Sequence, residues 1–204
     1  VLVAMWSARA GVGAMMIGLN SVYSERNRNA ARHYLRALML TFTLVMVGLI
    51  ALITVVIAPI VLSFIPLGVF GYFVAEIIRW SIAILVLLAG VGVLYRFGPN
   101  RRAARIGWLT WGAVFAVFSW AVVSIGFSYY VANFGNYNQV YGSIGAVIAM
   151  LVWLWISSFL VLMGASWNAQ VELRTRPDST IGRDRPLGKR GAYVADNLVS
   201  VSEE

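Results

Sequence analysis

Long apolar stretches separated by short polar ones dominate the chain. About 20 consecutive apolar residues in a helix cross the roughly 30 Å hydrocarbon core of a bilayer, and a helix satisfies its own backbone hydrogen bonds there. The ten-residue alternating segments typical of membrane strands do not occur. The pattern predicts an all-α fold, a polytopic transmembrane helical bundle, with five membrane helices in this chain at residues 1–23, 37–65, 77–95, 106–134 and 140–171.

Proline, glycine and polar residues predict where these helices end. The second helix is expected to kink at Pro59 and to end near Pro66, because proline lacks a backbone donor and clashes inside a helix. Residues 68–75 are expected to turn the chain before the third helix begins. After a transmembrane domain at 1–172, residues 173–204 have no long apolar run, which favours a disordered cytoplasmic tail.

Basic residues occupy alternate connections between the predicted helices. The loop at 24–36, the loop after the third helix and the tail contain arginines, whereas the connections around Gly68 and Asn136 contain none. Since cytoplasmic loops carry an excess of Lys and Arg, the pattern places the tail in the cytoplasm and Val1 outside. Such a chain needs one more helix upstream, so we predict six helices in the full-length protein.

Composition agrees with a membrane location. Hydrophobic residues make up 60% of the chain and charged residues 12%, whereas globular domains carry about 25% charged residues. The formal net charge of +8 is best explained by membrane orientation, with membrane lipids as the expected partners. Nucleic acid is not expected as a partner, because no aromatic-stacking module accompanies the arginines.

The chain offers little for catalysis. It has no Cys and a single His, which excludes disulfides, thiolate nucleophiles and a histidine metal cluster within one chain. The acidic residues are too dispersed to hold a catalytic metal ion. We therefore predict no catalytic residue, no metal and no cofactor, and we interpret His33 as an exposed loop residue.

Two polar residues lie in the first predicted helix. Arg9 lies well inside it, at a cost of about 2.5–3.5 kcal/mol on insertion scales. Eleven residues later, Asn20 returns to within about 20° of the same helical face. The pair could form a substrate-binding stripe for an anion or headgroup. Alternatively, Arg9 extends to the membrane interface or pairs with a backbone carbonyl.

The uncharged loop between the last two predicted helices is rich in amide and hydroxyl groups. Such groups can hydrogen-bond a polar headgroup or sugar, although a tight turn at a membrane surface uses the same residue types. The candidate substrate-binding residues in this loop are Asn133, Asn136, Tyr137, Asn138 and Tyr141.

Glu76 and Arg79 are three residues apart, a spacing that brings both onto one helix face. We expect an ion pair that anchors the outer end of the third helix, in preference to a contact with substrate.

Several stretches resemble the YihY/BrkB family of bacterial inner-membrane proteins. They are Met5 to Ala8, Leu19-Asn20, Leu94 to Asn100, Phe127 to Ile148 with its Tyr-Asn-x-x-Tyr-Gly-Ser core, Trp153, Gly164-Ala165 and Asn168-Ala169. The resemblance covers about residues 1–172 and implies a six-helix protein. Relatives often read Gly-Ala-Glu-x-Asn-Ala-Glu near the end, where this chain has Ser166 and Gln170 in place of the two acids.

The resemblance implies a role in envelope lipid handling or serum resistance and brings with it an old ribonuclease label, which is regarded as a misassignment. Together with the polar residues above, it favours a transporter or lipid-handling protein that acts on an amphipathic anionic substrate. A membrane scaffold that recruits envelope protein partners is the alternative, and a ribonuclease is the least favoured. The sequence does not determine the oligomeric state.

Overall fold

A computed structural model describes residues 2–65, 68–133, 138–175 and 177–197. Over these residues the chain is built from helices, which confirms the all-α fold class. The helices are α1 Leu2–Val22, α2 Ala30–Leu52, a π-helical segment Ile53–Ile57, α3 Ala58–Leu62, α4 Gly68–Phe97, α5 Ile106–Asn133, α6 Asn138–Leu173 and α7 Tyr193–Asp196.

Four helical spans in the described residues are long and apolar enough to cross a membrane. They are Ala30–Leu62, Gly68–Phe97, Trp111–Ala132 and Ile144–Leu173. Large apolar side chains on their outer faces are exposed, for example Phe70 at 80% and Ile125 at 73%. Exposure of this extent suits a protein whose helices face lipid. The first predicted membrane helix, α1, is not among the four.

The α2 helix begins earlier than the sequence suggested. We expected a loop over residues 24–36, but the helix begins at Ala30. Alanine and arginine both favour helix, so a run of arginines does not by itself mark a loop. As a result Arg32 and Arg36 project from the first two turns of α2, and His33 packs against Gly13 of α1 instead of lying in an exposed loop.

The α4 helix also begins earlier than expected. Residues 68–75 were predicted to form a turn, but the helix starts at Gly68, which has a φ of +64°. The apolar and aromatic residues that follow contain only one further weak breaker, Gly71, whose cost is about 1 kcal/mol. Glu76 and Arg79 therefore lie inside α4 and not at its start.

Pro59 changes the helix around it without ending it. The π-helical segment comes just before Pro59, and the helix then continues through α3. Since proline has no N–H, it cannot donate to the carbonyl of Val55 four residues earlier. Arg79 of α4 supplies that donor, with its Nη1 atom 3.0 Å from the Val55 oxygen, and it also forms an ion pair with Glu76.

The five long helices pack in a closed order around the bundle. Their contacts run from α1 to α2, α4, α5 and α6 and back to α1. The tightest approach is between α5 and α6, where a Cβ atom added at Gly112 would collide with the backbone oxygen of Gly164. The Gly112 N–H also donates to Oδ1 of Asn168, at 2.8 Å.

Residues 177–197, called the cap below, fold back onto one end of the bundle. We expected a disordered tail at 173–204, but Ser179, Thr180 and Val194 are at most 2% exposed. The backbone of the cap pairs with the loop between α4 and α5, since Arg105 N–H donates to Ser179 O at 2.8 Å and Ile181 N–H donates to Ala103 O at 2.9 Å. The cap is held by many polar contacts, which an apolar pattern does not predict.

Candidate functional site

The connector between α1 and α2, residues 23–29, starts from a well-defined helix end. Ser24 adopts a left-handed conformation with a φ of 53°, and the Glu25 N–H donates back to Asn20 O at 2.8 Å. These are features of a Schellman C-cap, although glycine is more usual than serine at the left-handed position. The motif turns the connector toward the loop between α4 and α5, residues 98–105.

Asn20 joins the connector to that loop. The residue is 1% exposed, and both ends of its amide are used. Its Nδ2 donates to Oδ1 of Asn27 at 2.8 Å, and its Oδ1 accepts the Asn100 N–H at 2.7 Å. A second link runs from Asn100 Nδ2 to the backbone oxygen of Arg26, at 2.8 Å. Asn20 thus holds the two segments together, and direct contact between Asn20 and a substrate stays a prediction.

A cavity of about 450 Å³ opens between the connector, the first turns of α2 and the 98–105 loop. We call it the arginine pocket. It is lined by Asn27, Arg28, Asn29, Arg32, Leu35, Arg36 and Asn100. Its volume is in the range of small-molecule sites in proteins. Three guanidinium groups and three amides line it, and no lining residue is acidic.

Arg28 connects the pocket to the 98–105 loop through hydrogen bonds to the backbone. Its Nη1 and Nη2 donate to the backbone oxygens of Gly98 and Pro99, at 2.8 and 2.6 Å. Burial, and then the positive charge of Arg36, lower the pKa of Arg28 below its ordinary value. Within the described residues, no ion pair neutralises Arg32 or Arg36. The pocket therefore carries a local excess of positive charge.

The N-terminus of α2 adds to this charge. Asn29, at the N-cap, makes no side-chain hydrogen bond to the helix. The first backbone N–H groups of a helix have no partner within the helix and carry partial positive charge. Arginine side chains and these N–H groups are both donors that bind oxyanions, so the residues around the pocket have the chemistry to hold an anion.

Arg9 of α1 stacks on aromatic rings, a contact that the sequence did not predict, and its role as an anion contact stays a prediction. Its guanidinium carbon lies 4.2 Å from the ring centroid of Tyr34 and 5.2 Å from that of Trp6. Its Nε atom is buried and has no hydrogen-bond partner among the described residues. Stacking covers the faces of the guanidinium group, but its N–H edge is not satisfied by stacking.

The predicted binding loop between α5 and α6 is largely outside the structure described. Asn136 and Tyr137 lie outside the described residues, and so do the side chains of Asn133, Asn138 and Tyr141. Their role as headgroup ligands stays a prediction.

The structure also brings together a buried charged cluster that sequence reasoning missed. Arg101 and Glu172 form a bidentate ion pair, with N···O distances of 2.7 and 2.5 Å and side-chain exposures of 2% and 4%. The Ser179 hydroxyl donates to the same carboxylate, and the guanidinium group of Arg101 lies 5.0 Å from the ring centroid of Tyr23. Burial lowers the pKa of Arg101, but the hydrogen bonds and charge of Glu172 outweigh it and raise the pKa.

Comparison with known proteins gives one family. A family model described as Virulence factor BrkB matches residues 1–187. A Bacillus subtilis (strain 168) protein named as ribonuclease-like, YfkH, is 35% identical over 184 residues, which are 87% of this chain and 66% of that protein.

Other relatives match over shorter regions. A protein of Tolumonas auensis named UPF0761 membrane protein is 34% identical over 87 residues, which are 42% of this chain and 28% of that protein. A UPF0761 membrane protein of Xanthomonas campestris pv. campestris (strain B100) is 32% identical over 111 residues, or 53% of this chain and 26% of that protein. The chain thus spans no more than 66% of the length of these relatives. No solved structure matches the chain.

Proposed function

We propose a function on the premise that the chain belongs to the Virulence factor BrkB family and is an integral membrane protein. It binds an amphipathic anionic lipid by its headgroup and handles that lipid in the cell envelope, as a transporter or lipid-handling protein. The arginine pocket is the observation that carries this proposal, because it combines anion-binding groups with direct access to an apolar helix face.

The headgroup chemistry follows from the donors in the pocket. Like charges four residues apart on a helix, as at Arg32 and Arg36, destabilise the helix by about 0.2–0.5 kcal/mol. A bound oxyanion reverses this cost, since hydrogen bonds to charged groups contribute about 1.5–3 kcal/mol each. A phosphate group fits such a site best, because guanidinium groups bind it through paired N–H donors.

The apolar part of the ligand follows from the neighbouring surface of α2. Leu35 lines the pocket itself and is 54% exposed. Leu38 and Phe42, three and seven residues further along the same face, are 41% and 57% exposed. A headgroup in the pocket would place its acyl chains along this stripe, at the boundary between water and hydrocarbon.

The topology we propose keeps the sequence-based assignment. The 21 residues of α1 extend about 31 Å at 1.5 Å per residue, enough for a fifth crossing. The arginine-rich connector, the 98–105 loop and the cap then lie in the cytoplasm, and the chain lies in the bacterial inner membrane. Arg9 offers a second anion contact deeper in the bundle.

Neutralising two pocket arginines tests the function. Arg32→Gln with Arg36→Gln removes both charges but leaves the bonds from Arg28 to the backbone. We expect the detergent-solubilised double variant to bind phosphatidylglycerol about tenfold or more weakly than the parent, measured by native mass spectrometry with phosphatidylcholine of equal acyl length as reference. The single change Arg26→Gln is the matched control, since this connector arginine lies outside the pocket lining; it should alter the affinity less than twofold.

Three outcomes distinguish the alternatives. Equal binding of both lipids, unaffected by the double variant, would contradict the proposal. Binding of free glycerol phosphate with the same dependence on Arg32 and Arg36, but without any preference for the lipid, would make the ligand a soluble phosphate ester. Affinity capture of a stoichiometric envelope protein by a chain that binds neither probe would favour the scaffold.

We do not propose a ribonuclease activity for this chain, although the Bacillus relative is named as ribonuclease-like. Hydrolysis of a phosphodiester requires a general base or a metal-held water besides anion contacts. The pocket supplies guanidinium and amide donors, which bind a phosphate but accept no proton from an attacking water.

A further inference from the structure

Two of the three walls of the arginine pocket, the connector and the 98–105 loop, are attached to residues that the cap holds. One wall, Asn27 to Asn29, follows Glu25 in the connector, and Glu25 Oε1 accepts the backbone N–H of Tyr193 from the cap at 2.7 Å. The other wall is Asn100, whose chain neighbour Arg101 forms the buried ion pair with Glu172. The cap reaches that pair through the hydroxyl of Ser179.

Hydrogen bonds within the cap join its residues to one another. Asp178 Oδ1 accepts the N–H and the hydroxyl of Thr180, at 2.9 and 2.7 Å, and its Oδ2 accepts the Arg185 N–H at 2.9 Å. At the other end, Arg190 is 6% exposed and donates to Ala195 O at 2.9 Å. Fixed turns at both ends let the cap position Ser179 and Tyr193 together.

Glu25 is the weaker and more adjustable of the two attachments. Burial raises the pKa of its carboxyl group, while the Tyr193 N–H and the charge of Arg101 lower it. Glu25 has no ion-pair partner among the described residues, unlike Glu172, which has Arg101. Its bond to the cap is therefore easier to open than the Arg101–Glu172 pair.

We propose that the cap regulates the arginine pocket: its docking on Glu25 and Glu172 holds these two pocket walls in place, so that cap docking and headgroup binding strengthen each other. This inference rests on the proposed function for its ligand only. Thermodynamic linkage requires the coupling to be reciprocal, so the ligand must protect the cap to the same degree that the cap strengthens binding of the ligand.

A change within the cap, read out in the connector, tests the coupling. Tyr193→Pro removes the N–H that Glu25 accepts. The backbone tolerates proline there, because Tyr193 is the first residue of α7 and Ala192 before it is extended, with φ −150° and ψ 121°. Tyr193→Phe is the matched control, since it changes the exposed side chain and keeps the N–H.

Hydrogen exchange of the full chain in detergent is the measurement. In the Tyr193→Pro variant we expect exchange to rise about tenfold in the cap and in residues 23–29, with a similar loss of phosphatidylglycerol affinity. The Tyr193→Phe variant should match the parent. Faster exchange in the cap with unchanged exchange in the connector would overturn the inference.

A second pair of variants changes the connector instead of the cap. Glu25→Ala removes the acceptor and should raise exchange in residues 190–196 of the cap, whereas Glu25→Gln keeps an acceptor oxygen and should behave as the parent does. If the parent binds no phosphatidylglycerol, the proposed function fails, but exchange in the two variant pairs still decides whether cap and connector are coupled. If the parent binds the lipid, and neither Glu25→Ala nor Tyr193→Pro changes hydrogen exchange in the connector or the affinity for the lipid, only the proposed regulation fails.

Discussion

Two glycines set the distance between α5 and α6. A Cβ atom at Gly112 would collide with the backbone oxygen of Gly164 and with the amide of Asn168, and one at Gly164 would collide with Gly112 O and the Tyr95 hydroxyl. The closest obstacle at each glycine is a backbone oxygen, which cannot move aside as the end of a flexible side chain can. Small residues allow membrane helices to pack at this distance, so both glycines determine the geometry of the bundle.

Gly112→Ala should therefore destabilise the protein. We expect a loss of about 1–3 kcal/mol in the free energy of unfolding, because overpacking forces the two backbones apart. Gly126→Ala is the control on the same helix: nothing lies within 4 Å of its Cβ position, so the change should be neutral or slightly stabilising. Unfolding in mixed micelles with a rising fraction of sodium dodecyl sulfate measures both, and equal effects would refute the role given to Gly112.

Residue-scale features divide into those that the sequence predicts and those that it does not. The Glu76–Arg79 spacing is local, and the structure has these side chains in contact. The Arg101–Glu172 pair joins residues 71 positions apart, for which no local pattern exists. The pocket was missed for a related reason, since its arginines were interpreted as orienting charges in a loop.

At the scale of elements, a proline in one helix is accommodated by an arginine in another. Pro59 has no N–H to donate to the Val55 carbonyl, and Arg79 of α4 donates to it. An unsatisfied carbonyl in hydrocarbon costs several kcal/mol, so the contact stabilises the segment from Ile53 to Leu62 and fixes it against α4.

A double-mutant cycle tests this accommodation. Arg79→Ala should cost about 1–3 kcal/mol of unfolding free energy, because it leaves the Val55 carbonyl unsatisfied. In a Pro59→Ala background the restored N–H can satisfy that carbonyl, so the same arginine change should cost about 1 kcal/mol less. The loss of the Glu76 pair is common to both backgrounds and cancels. Strict additivity would show that the two residues act independently.

Element boundaries show where sequence patterns lose information. Apolar length alone predicted most of the helices, because crossing a bilayer demands it. The starts of α2 and α4 were misplaced, since arginines and a glycine do not stop a helix when packing favours it. The cap was missed because its buried residues, such as Ser179 and Thr180, are small and polar.

At the scale of the whole molecule, the described ion pairs differ in what they hold together. Arg101 and Glu172 are almost fully buried and join α6, the 98–105 loop and the cap. Arg105 and Asp184 form a pair that is 43% and 76% exposed and joins the loop to the cap alone. Burial makes the loss of one partner costly, because the other charge is then left in a poorly solvating environment.

Charge-removing variants should separate the two pairs. Glu172→Gln is expected to lower the free energy of unfolding by about 3–5 kcal/mol, whereas Asp184→Asn should lower it by less than about 1 kcal/mol. Unfolding in mixed micelles followed by tryptophan fluorescence measures both changes. Similar losses in the two variants would mean that the burial of the Arg101–Glu172 pair is not what stabilises this end of the bundle.

The cap follows all the long helices in the chain, and this order matters during biosynthesis. Helices α1 to α6 precede residues 177–197 in the chain and are therefore synthesised before them. Glu25 and Glu172 are thus made before Tyr193 and Ser179, so the pocket walls gain their contacts with the cap only after the membrane helices have been synthesised. Membrane insertion and completion of the pocket are therefore separable steps, and the proposed coupling predicts that a chain cut shortly after Thr175 still inserts but binds the headgroup more weakly.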